Sequence, residues 1–282
     1  ETTFVPHRVV HSGEGLLTGY FEPLLQASRV PTPVFKTPIY RRPSDLINLV
    51  DEAQRGAVGS QFTHMRKTAT GTEPFATRAD IDKGALKGQG LELLYLADPV
   101  DVFFLQVQGS GRMQLPDGTT IRITYDGKNG HPYSSIGRYL IDKGIIDAAR
   151  MSLDALAGWL KADQARAQPI LWHNKSYVFF RELAGEEAKA PHGVHNIPLT
   201  PGRSLAIDPG HHDLGVPIYV SADLPHVSKT GAFNRLMIAQ DVGSAIKGPE
   251  RGDIFFGSGP DAAKLAGVTK HPGKFYVLLP RP

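Results

Sequence analysis

The sequence predicts a mainly β protein with a few helices, built from barrels rather than from a doubly wound parallel sheet. Three observations support this fold class. The 30 glycines and 22 prolines make up 52 of the 282 residues, which indicates many turns and short strands. Apolar residues alternate with period two in many short runs, as they do in strands. Helical patterns are fewer, and several short strands joined by turns favour barrels.

Strand predictions can be made along much of the chain. Residues 102–108 place alternate apolar side chains on one face, and residues 117–125 combine a turn with an alternating strand. Further strands are predicted at residues 176–180, 204–207, 217–220, 236–239, 254–256 and 275–279.

Three helices are predicted from capping residues that precede apolar stripes at helical spacing. The first begins after Asp45 and carries its stripe over residues 46–53. The second begins at Ser134 or Ser135, and the third begins at Ser152.

The composition limits the class of protein and excludes several kinds of chemistry. A chain of 282 residues, with one or two domains, buries a sizeable core without disulfides. The absence of cysteine excludes thiolate metal sites, cysteine nucleophiles and thiol redox switches. The net charge of +3, without long Lys/Arg runs, gives no nucleic-acid patch and favours a solvated surface over a weak attraction to an anionic polymer.

The chain begins at Glu1 rather than at methionine, so we expect a mature or trimmed form. It contains neither a basic-then-apolar signal segment nor an apolar run of about 18 residues. A lipid anchor on an N-terminal cysteine would therefore lie outside this chain.

Three segments near the C-terminus each place an aspartate at one end of a predicted strand, close to glycine. The aspartates are Asp208, Asp241 and Asp253. A carboxylate at a strand end costs desolvation unless it is hydrogen-bonded or exposed in a cleft, and a neighbouring glycine lets a ligand approach the backbone. Asp-Pro-Gly and Gly-Asp are also ordinary turn dipeptides, but the recurrence of the pattern favours a functional site.

Several motifs are dispersed over nearly the whole chain. They are LTGYFEP at 17–23, TRADI at 77–81, QVQGSG at 106–111, YDGKNGH at 125–131, SSIG at 134–137, SYVFFR at 176–181, PLTPGRS at 198–204, and DVGSAIKG at 241–248 followed by GDI at 252–254. Together they resemble the membrane-bound lytic transglycosylase A family, whose C-terminal part is named for three aspartates. The chain departs from the family at Asp80, where Glu is usual, and in the loop at 209–215 that follows Asp208.

The resemblance implies a two-domain fold. A double-psi β-barrel catalytic domain is expected to comprise residues 1–23 and 188–282. An inserted β-rich, barrel-like domain with a few helices is expected at residues 24–187. A groove between the two domains would hold a sugar chain.

The resemblance also implies a reaction, the non-hydrolytic cleavage of the β-1,4 bond between N-acetylmuramoyl and N-acetylglucosaminyl residues of peptidoglycan. The product ends are 1,6-anhydromuramoyl groups. Asp253 matches the family's catalytic aspartate, and Asp208 and Asp241 match the other two. Glycosidases normally need two carboxylates, whereas one suffices here as acid and then base, because a hydroxyl of the same sugar attacks. Burial against the adjacent phenylalanines, together with the neighbouring aspartates, should raise the pKa of Asp253.

Further residues are candidate substrate contacts, and each has a structural alternative. The candidates are Thr18, Gly19, Tyr20, Gln108, Ser110 and Lys247. The tyrosine is either a platform for a sugar ring or a half-buried core residue. The glutamine and serine either bind hydroxyl and acetamido groups or form a β-turn. The lysine pairs with an aspartate or a substrate carboxylate, or is a surface lysine.

We expect neither a metal nor a cofactor. The run His211-His212-Asp213 has no third ligand at a suitable spacing, and adjacent residues of a strand point to opposite faces.

Two other functions stay open. A peptidoglycan glycan hydrolase would need a second carboxylate opposite Asp253, for which Glu22 and Asp126 are the motif candidates. A non-catalytic peptidoglycan-binding module would not need an acid such as Asp253.

The expected partners are peptidoglycan glycan strands, and the chain is expected to be a monomer that does not bind nucleic acid. The expected location is the cell envelope, in the periplasm or at the periplasmic face of the outer membrane. Any outer-membrane association would run through a segment absent from this chain. The sequence leaves open whether cleavage occurs within strands or at their ends, and whether peptide stems are required.

Overall fold

A computed structural model describes residues 3–49, 62–228 and 230–281 of the chain. It confirms the predicted fold class, because the described residues are mainly β and include a closed six-stranded barrel. The chain divides into two compact units, Glu1–Leu24 with Gly185–Pro282, and Leu25–Ala184. Within the described ranges, no helix is long and apolar enough to cross a membrane.

The strands and helices are numbered along the chain. The strands are β1 (Phe4–Arg8), β2 (Leu16–Glu22), β3 (Leu24–Ser28), β4 (Thr37–Tyr40), β5 (Leu46–Asn48), β6 (His64–Thr68), β7 (Gly71–Glu73), β8 (Glu92–Leu96), β9 (Ser110–Gln114), β10 (Thr120–Lys128), β11 (Val178–Leu183), β12 (Ser204–Ile207), β13 (Pro217–Asp223), β14 (Ala232–Val242), β15 (Arg251–Ser258) and β16 (Lys270–Pro280). The helices are α1 (Arg78–Asp80, continued by a π-helical turn at Ile81–Ala85), α2 (Pro99–Gln108), α3 (Ile136–Asp142), α4 (Leu153–Lys161), α5 (Gln164–His173) and α6 (Pro260–Val268).

The first unit is built around the barrel. Its sheet has the order β1-β16-β13-β14-β12-β15-β2, and β2 also pairs with β16, so six of these described strands form a closed ring. The pairs β12–β14 and β15–β2 are parallel, and the other pairs are antiparallel. The core inside the ring contains Leu17, Leu205, Ile254 and Phe275. A strand from the start of the chain therefore completes a barrel whose other strands come from its last third.

The second unit contains a six-stranded sheet in the order β11-β10-β9-β3-β8-β4 and a three-stranded sheet, β5-β6-β7. One apolar core lies on the larger sheet and includes Leu94, Leu105 and Phe180. A second core joins α2 to helices α3, α4 and α5 and includes Phe103 and Leu160. This unit therefore has apolar cores of its own.

The predicted strand at residues 102–108 is wrong, because these residues belong to helix α2. Asp98 caps the helix by accepting from the Val100 N–H at 2.8 Å, Pro99 occupies its first position, and Gly109 ends it with a φ of 79°. The helix is buried on two sides, against the sheet core and against the helical core. Its apolar residues therefore lie all round the axis and imitate a buried strand.

The helix predicted to begin after Asp45 is also wrong over its described part. Leu46–Asn48 form β5, which pairs antiparallel with β6, and residues 50–53 of the prediction lie outside the described residues. The other two helix predictions are confirmed. The Ser135 hydroxyl caps α3 by accepting from the Arg138 N–H, and the Ser152 hydroxyl caps α4 by accepting from the Ala155 N–H.

Candidate active site

The three aspartates lie on or beside strands β12, β14 and β15 of the barrel. In the strand register, Ala206 of β12 is opposite Asp241 of β14 on one side and opposite Asp253 of β15 on the other. Asp253 is in turn opposite Thr18 of β2. The residues next to Ala206, Asp253 and Thr18 contribute to the barrel core, so these side chains point to the outer face. Two carboxyl groups thus flank one small residue on one face.

Asp253 is held by a hydroxyl group. The Thr18 Oγ1 hydroxyl donates to Asp253 Oδ1 at 2.5 Å. The side chain keeps some solvent exposure, but protein atoms surround the carboxyl closely. This burial raises the pKa of Asp253 above its ordinary value, although the hydrogen bond from Thr18 and the charge of Arg251 oppose the rise. The pKa of Asp253 is therefore shifted in the direction that stabilises the protonated carboxyl.

Asp241 receives hydrogen bonds on both carboxyl oxygens. The Tyr20 hydroxyl donates to Oδ2 at 2.8 Å, and the Val242 N–H donates to Oδ1 at 2.9 Å. The Val194 N–H also donates to this carboxylate. Burial nevertheless raises the pKa of Asp241 to about 6, and the charge of Asp253 contributes to the rise. Asp241 therefore keeps its proton to a higher pH than an ordinary aspartate does.

Tyr20 links strand β2 to Asp241 through a hydrogen bond. Its ring contacts Phe255 with the centroids 5.2 Å apart, and its hydroxyl binds Asp241. Burial raises the pKa of Tyr20 well above its ordinary value, and the charge of Asp241 acts in the same direction. The hydroxyl therefore stays a proton donor to the carboxylate.

Asp208 has a different environment from the other two aspartates. It accepts from the Gly248 N–H at 2.9 Å, from the Gly210 N–H at 3.2 Å and from Lys247 Nζ at 3.2 Å. Burial acts to raise the pKa of Asp208, but the hydrogen bonds and the lysine charge outweigh it, so the pKa is lowered. His212, in the loop that follows Asp208, also contacts the loop before β15, with 2.6 Å between its Nε2 atom and Pro249 O. Asp208 is thus an ionised carboxylate, and its hydrogen bonds connect the loop that follows β12 to residues 247–248.

Two family models match the chain. One is described as the MltA specific insert domain and matches residues 16–181, and the other is described as the 3D domain and matches residues 203–279. The chain belongs to the membrane-bound lytic murein transglycosylase A family. The membrane-bound lytic murein transglycosylase A of Vibrio cholerae is 36% identical over 273 residues, which cover 94% of this chain and 66% of that protein. The chain therefore spans about two thirds of the length of that relative.

Solved structures of the lytic transglycosylase A family are also similar. A membrane-bound lytic murein transglycosylase from Agrobacterium tumefaciens superposes with a TM-score of 0.91 at 41% identity, covering 99% of this chain and 77% of that one. The MltA of Escherichia coli with bound chitohexaose has a TM-score of 0.75 at 33% identity, covering 95% of this chain and 73% of that one. The similarity extends over both units of the chain.

The other candidate substrate contacts predicted from the sequence differ in their surroundings. A Cβ atom at Gly19 would lie 2.5 Å from the Phe256 ring and 2.8 Å from the Ala266 backbone, so glycine allows β2 to pack there. Lys247 is paired with Asp208, while 66% of its side chain stays exposed. Gln108 and Ser110 belong to the second unit, at the end of α2 and the start of β9.

The candidate second carboxylates also differ in their surroundings. Glu22 has no exposed surface, and the Ser258 hydroxyl donates to its Oε2 at 2.6 Å. Asp126 is partly exposed on β10 of the second unit. The buried glutamate cannot contact a ligand in this conformation.

Sequence reasoning about this lytic transglycosylase A family member missed Arg251. The residue lies two positions before Asp253 on β15, and its guanidinium donates to Gly252 O at 2.7 Å. The alternation of a strand could have identified it, because residues two apart point to the same face. Among residues 3–49, 62–228 and 230–281, no group of three or more His, Asp or Glu side chains is arranged to hold a metal ion.

Proposed function

We propose that the chain is a peptidoglycan lytic transglycosylase with Asp253 as general acid and then general base. The observation that carries this proposal is the pair of carboxyls on one barrel face. Asp253 is held by Thr18 with a raised pKa, and Asp241 is held by Tyr20 with a pKa raised to about 6. An acid catalyst must be protonated near the working pH, and burial shifts the pKa of Asp253 in that direction.

The substrate class follows from the family. The relatives are named lytic murein transglycosylases, and murein is peptidoglycan. The Escherichia coli relative was solved with chitohexaose, a β-1,4-linked chain of N-acetylglucosamine. We therefore assign a β-1,4-linked glycan of N-acetylhexosamines as the ligand class, with the muramoyl–glucosaminyl bond as the bond cleaved.

The first step is protonation of the leaving group. Thr18 occupies Oδ1 of Asp253, so Oδ2 is the oxygen that carries the acidic proton. This proton passes to the glycosidic oxygen as the bond from that oxygen to the muramoyl C1 breaks. The electron pair of the bond leaves with the glucosaminyl oxygen, and positive charge develops at C1.

The second step closes a ring. The C6 hydroxyl of the same muramoyl residue attacks C1, and its proton passes to the carboxylate of Asp253. The product is a 1,6-anhydromuramoyl end, and the acid returns to its starting state without consuming water. Because the attack is intramolecular, a second carboxylate that positions a water molecule is not needed.

The neighbouring residues support this proton cycle. Ionised Asp241 repels a negative charge on Asp253 and stabilises positive charge at C1, while Tyr20 holds it in place. Asp208 and Lys247 shape the loop beside the site through their mutual contact. Thr18 and Tyr20 thus act through the two carboxyls, and contact of Tyr20, Gly19, Gln108, Ser110 or Lys247 with sugar stays a prediction.

The burial of Glu22 favours transglycosylation over hydrolysis. A hydrolase needs a second carboxylate that contacts water opposite the acid. Glu22 is buried against Ser258, and three donors already point to Asp241. A raised pKa on a partly exposed carboxyl likewise favours an enzyme over a non-catalytic binding module.

Digestion of purified sacculi in 18O-labelled water, followed by mass spectrometry, tests the proposal. We expect the wild type to produce unlabelled 1,6-anhydromuramoyl ends. Asp253→Asn should lower turnover by at least about 10,000-fold, because the amide is nearly isosteric but cannot supply a proton. Asp261→Asn is a matched control on the exposed start of α6 and should keep full activity.

Three results would contradict this assignment. Labelled reducing ends would indicate a hydrolase, and robust turnover by Asp253→Asn would mean that another residue is the acid. Retention of glycan binding without any turnover by the wild type would indicate a binding module.

The domain boundaries and the location extend this proposal. We assign residues 1–23 and 188–282 to the catalytic domain and residues 24–187 to the inserted domain. The two compact units of the structure are divided after Leu24 and after Ala184. The relatives are named membrane-bound, so we place the protein in the cell envelope, with glycan strands as its partners.

A further inference from the structure

The strand that carries Asp241 contains a one-residue β-bulge. The register between β12 and β14 shifts by one residue between the pairs that contain Ala239 and Asp241, so Gln240 is the extra residue. Ala239 is fully buried in the barrel core. In a regular strand Asp241, two residues further on, would point into the same core. The bulge instead turns its side chain to the face that carries Asp253.

The side chain of the bulged residue is fixed by a buried hydroxyl. The Ser204 hydroxyl donates to Gln240 Oε1 at 2.5 Å and accepts from the Thr200 N–H at 2.8 Å. Ser204 has no exposed surface. Its hydroxyl would lose an acceptor in a buried position if the glutamine moved away, which costs free energy.

A glycine, Gly193, packs directly against the bulge. A Cβ atom at Gly193 would lie 2.3 Å from the Gln240 carbonyl oxygen and 3.2 Å from the Asp241 Cβ atom. The next residue, Val194, donates its N–H to the Asp241 carboxylate. The close approach that brings this donor to the carboxylate therefore requires a residue without a side chain.

We propose that Gln240 and Ser204 are positioning residues for Asp241, because their hydrogen bond holds the bulge that aims this carboxylate at Asp253. Neither residue touches the reacting atoms. The proposal rests on the proposed function, since it matters to turnover only if Asp241 takes part in catalysis. The proposal gives a chemical reason why a glutamine stands immediately before Asp241.

Gln240→Met tests the proposal, because methionine has a similar length and lacks the acceptor. We expect the turnover number to fall by about 10- to 100-fold, the loss that a misplacement of about 1 Å can cause. The titratable groups that face Asp241 are Tyr20 and Asp253. The pH–rate profile of Gln240→Met should therefore change in the same direction as that of Asp241→Asn.

Three companion variants separate positioning from folding. Gln240→Glu keeps an acceptor for the serine hydroxyl and should restore most of the turnover. Ser204→Ala should reproduce the loss seen in Gln240→Met, and provides a second route if the methionine variant fails to fold. Ser221→Ala removes a partly buried hydroxyl from β13, outside the site, and should leave the rate and the pH profile unchanged.

A double-mutant cycle gives the decisive result. In the Asp241→Asn background, Gln240→Met should cause less than about a twofold further loss, because the carboxylate it positions is already gone. A fully additive loss, or a loss without any change in the pH profile, would overturn the positioning role. The cycle uses the rate of glycan cleavage whatever the product, so labelled hydrolysis products would refute the proposed reaction and leave this inference standing. Absence of all cleavage by the wild type would refute both.

Discussion

At the scale of single residues, Asp241 and Asp253 have different environments although both flank Ala206. Asp241 accepts from Tyr20 and from two backbone N–H groups, whereas Asp253 accepts from Thr18 and lies near Arg251. Burial raises the pKa of both, and the pKa of Asp241 reaches about 6. Such a pair can hold one proton and one charge near neutral pH, which is what an acid with a charged neighbour requires.

Asp241→Asn should shift the limb of the pH–rate profile on which activity falls as the pH rises. Repulsion between two carboxylates is mutual, so removing the charge of Asp241 lowers the pKa of Asp253. The active acid is then lost at a lower pH. Below pH 6 the wild-type Asp241 is itself largely protonated, so the two profiles should converge there. Turnover measured from pH 4 to pH 9 checks this expectation.

Tyr20→Phe is the matched variant for the same experiment. Its hydroxyl lowers the pKa of Asp241 by donating to the carboxylate, so its loss should raise that pKa above about 6. The carboxylate then ionises less fully near neutral pH, and the shift should be smaller than in Asp241→Asn. Identical profiles for the wild type and both variants would remove Asp241 from the proton cycle.

At the scale of elements, the two loops beside the site depend on backbone geometry as much as on side chains. Gly248 has a φ of +120°, a conformation that favours glycine, and its N–H binds Asp208 at 2.9 Å. Helix α4 contains another glycine, Gly158, which is exposed and has open space where a Cβ would be. The same substitution should therefore have opposite effects at these two positions.

Gly248→Ala should lower the free energy of unfolding by about 1–3 kcal/mol, because alanine is strained at this φ. Gly158→Ala should raise it by about 0.5–1 kcal/mol, because alanine loses less backbone entropy in a helix. Chemical denaturation measures both, each read from the transition of the unit that contains the residue. A stabilising effect of Gly248→Ala would contradict the conformation described for this loop.

The errors in element prediction also have identifiable causes. Helix α2 is packed between two cores, so its residues lack the polar face that reveals a helix. Helix α5 was not predicted, and Pro169 inside it interrupts the expected pattern. Helices α3 and α4 were predicted correctly, because each has a capping serine and an exposed face.

At the scale of the whole molecule, the barrel depends on two distant parts of the chain. Strand β2 lies between β15 and β16 and closes the ring. Glu250 is buried and accepts from His11 at 3.0 Å, from the Phe275 N–H at 2.7 Å and from Arg8. The start of the chain is therefore bound to the last third both by strand pairing and by a buried ionic contact.

Deletion of residues 1–24 should abolish the cooperative unfolding transition of the barrel unit. Without β2, strands β15 and β16 would expose unpaired edges, which favour aggregation. The fragment 25–184 has its own cores and should unfold cooperatively alone. Circular dichroism during thermal unfolding checks both expectations. A truncated chain that keeps two cooperative transitions would show that the barrel folds without its N-terminal strand.

The sequence by itself determined the class of fold, strands β10 to β16, two capped helices and the family. These depend on short-range patterns, such as alternation, capping and turn residues, and on motifs whose residues are close along the chain. It also brought together Asp208, Asp241 and Asp253 as candidates, through the specific stretches around 241–248 and 252–254.

Only the tertiary structure decided how those candidates divide their roles. Thr18 binds Asp253 and Tyr20 binds Asp241 across more than 200 positions of sequence, and the bulge at Gln240 depends on pairing with β12. Asp208 differs from the other two aspartates because loop backbone N–H groups surround it. A pKa and a side-chain direction depend on neighbours in space, and strand register brings those neighbours together from distant parts of the sequence.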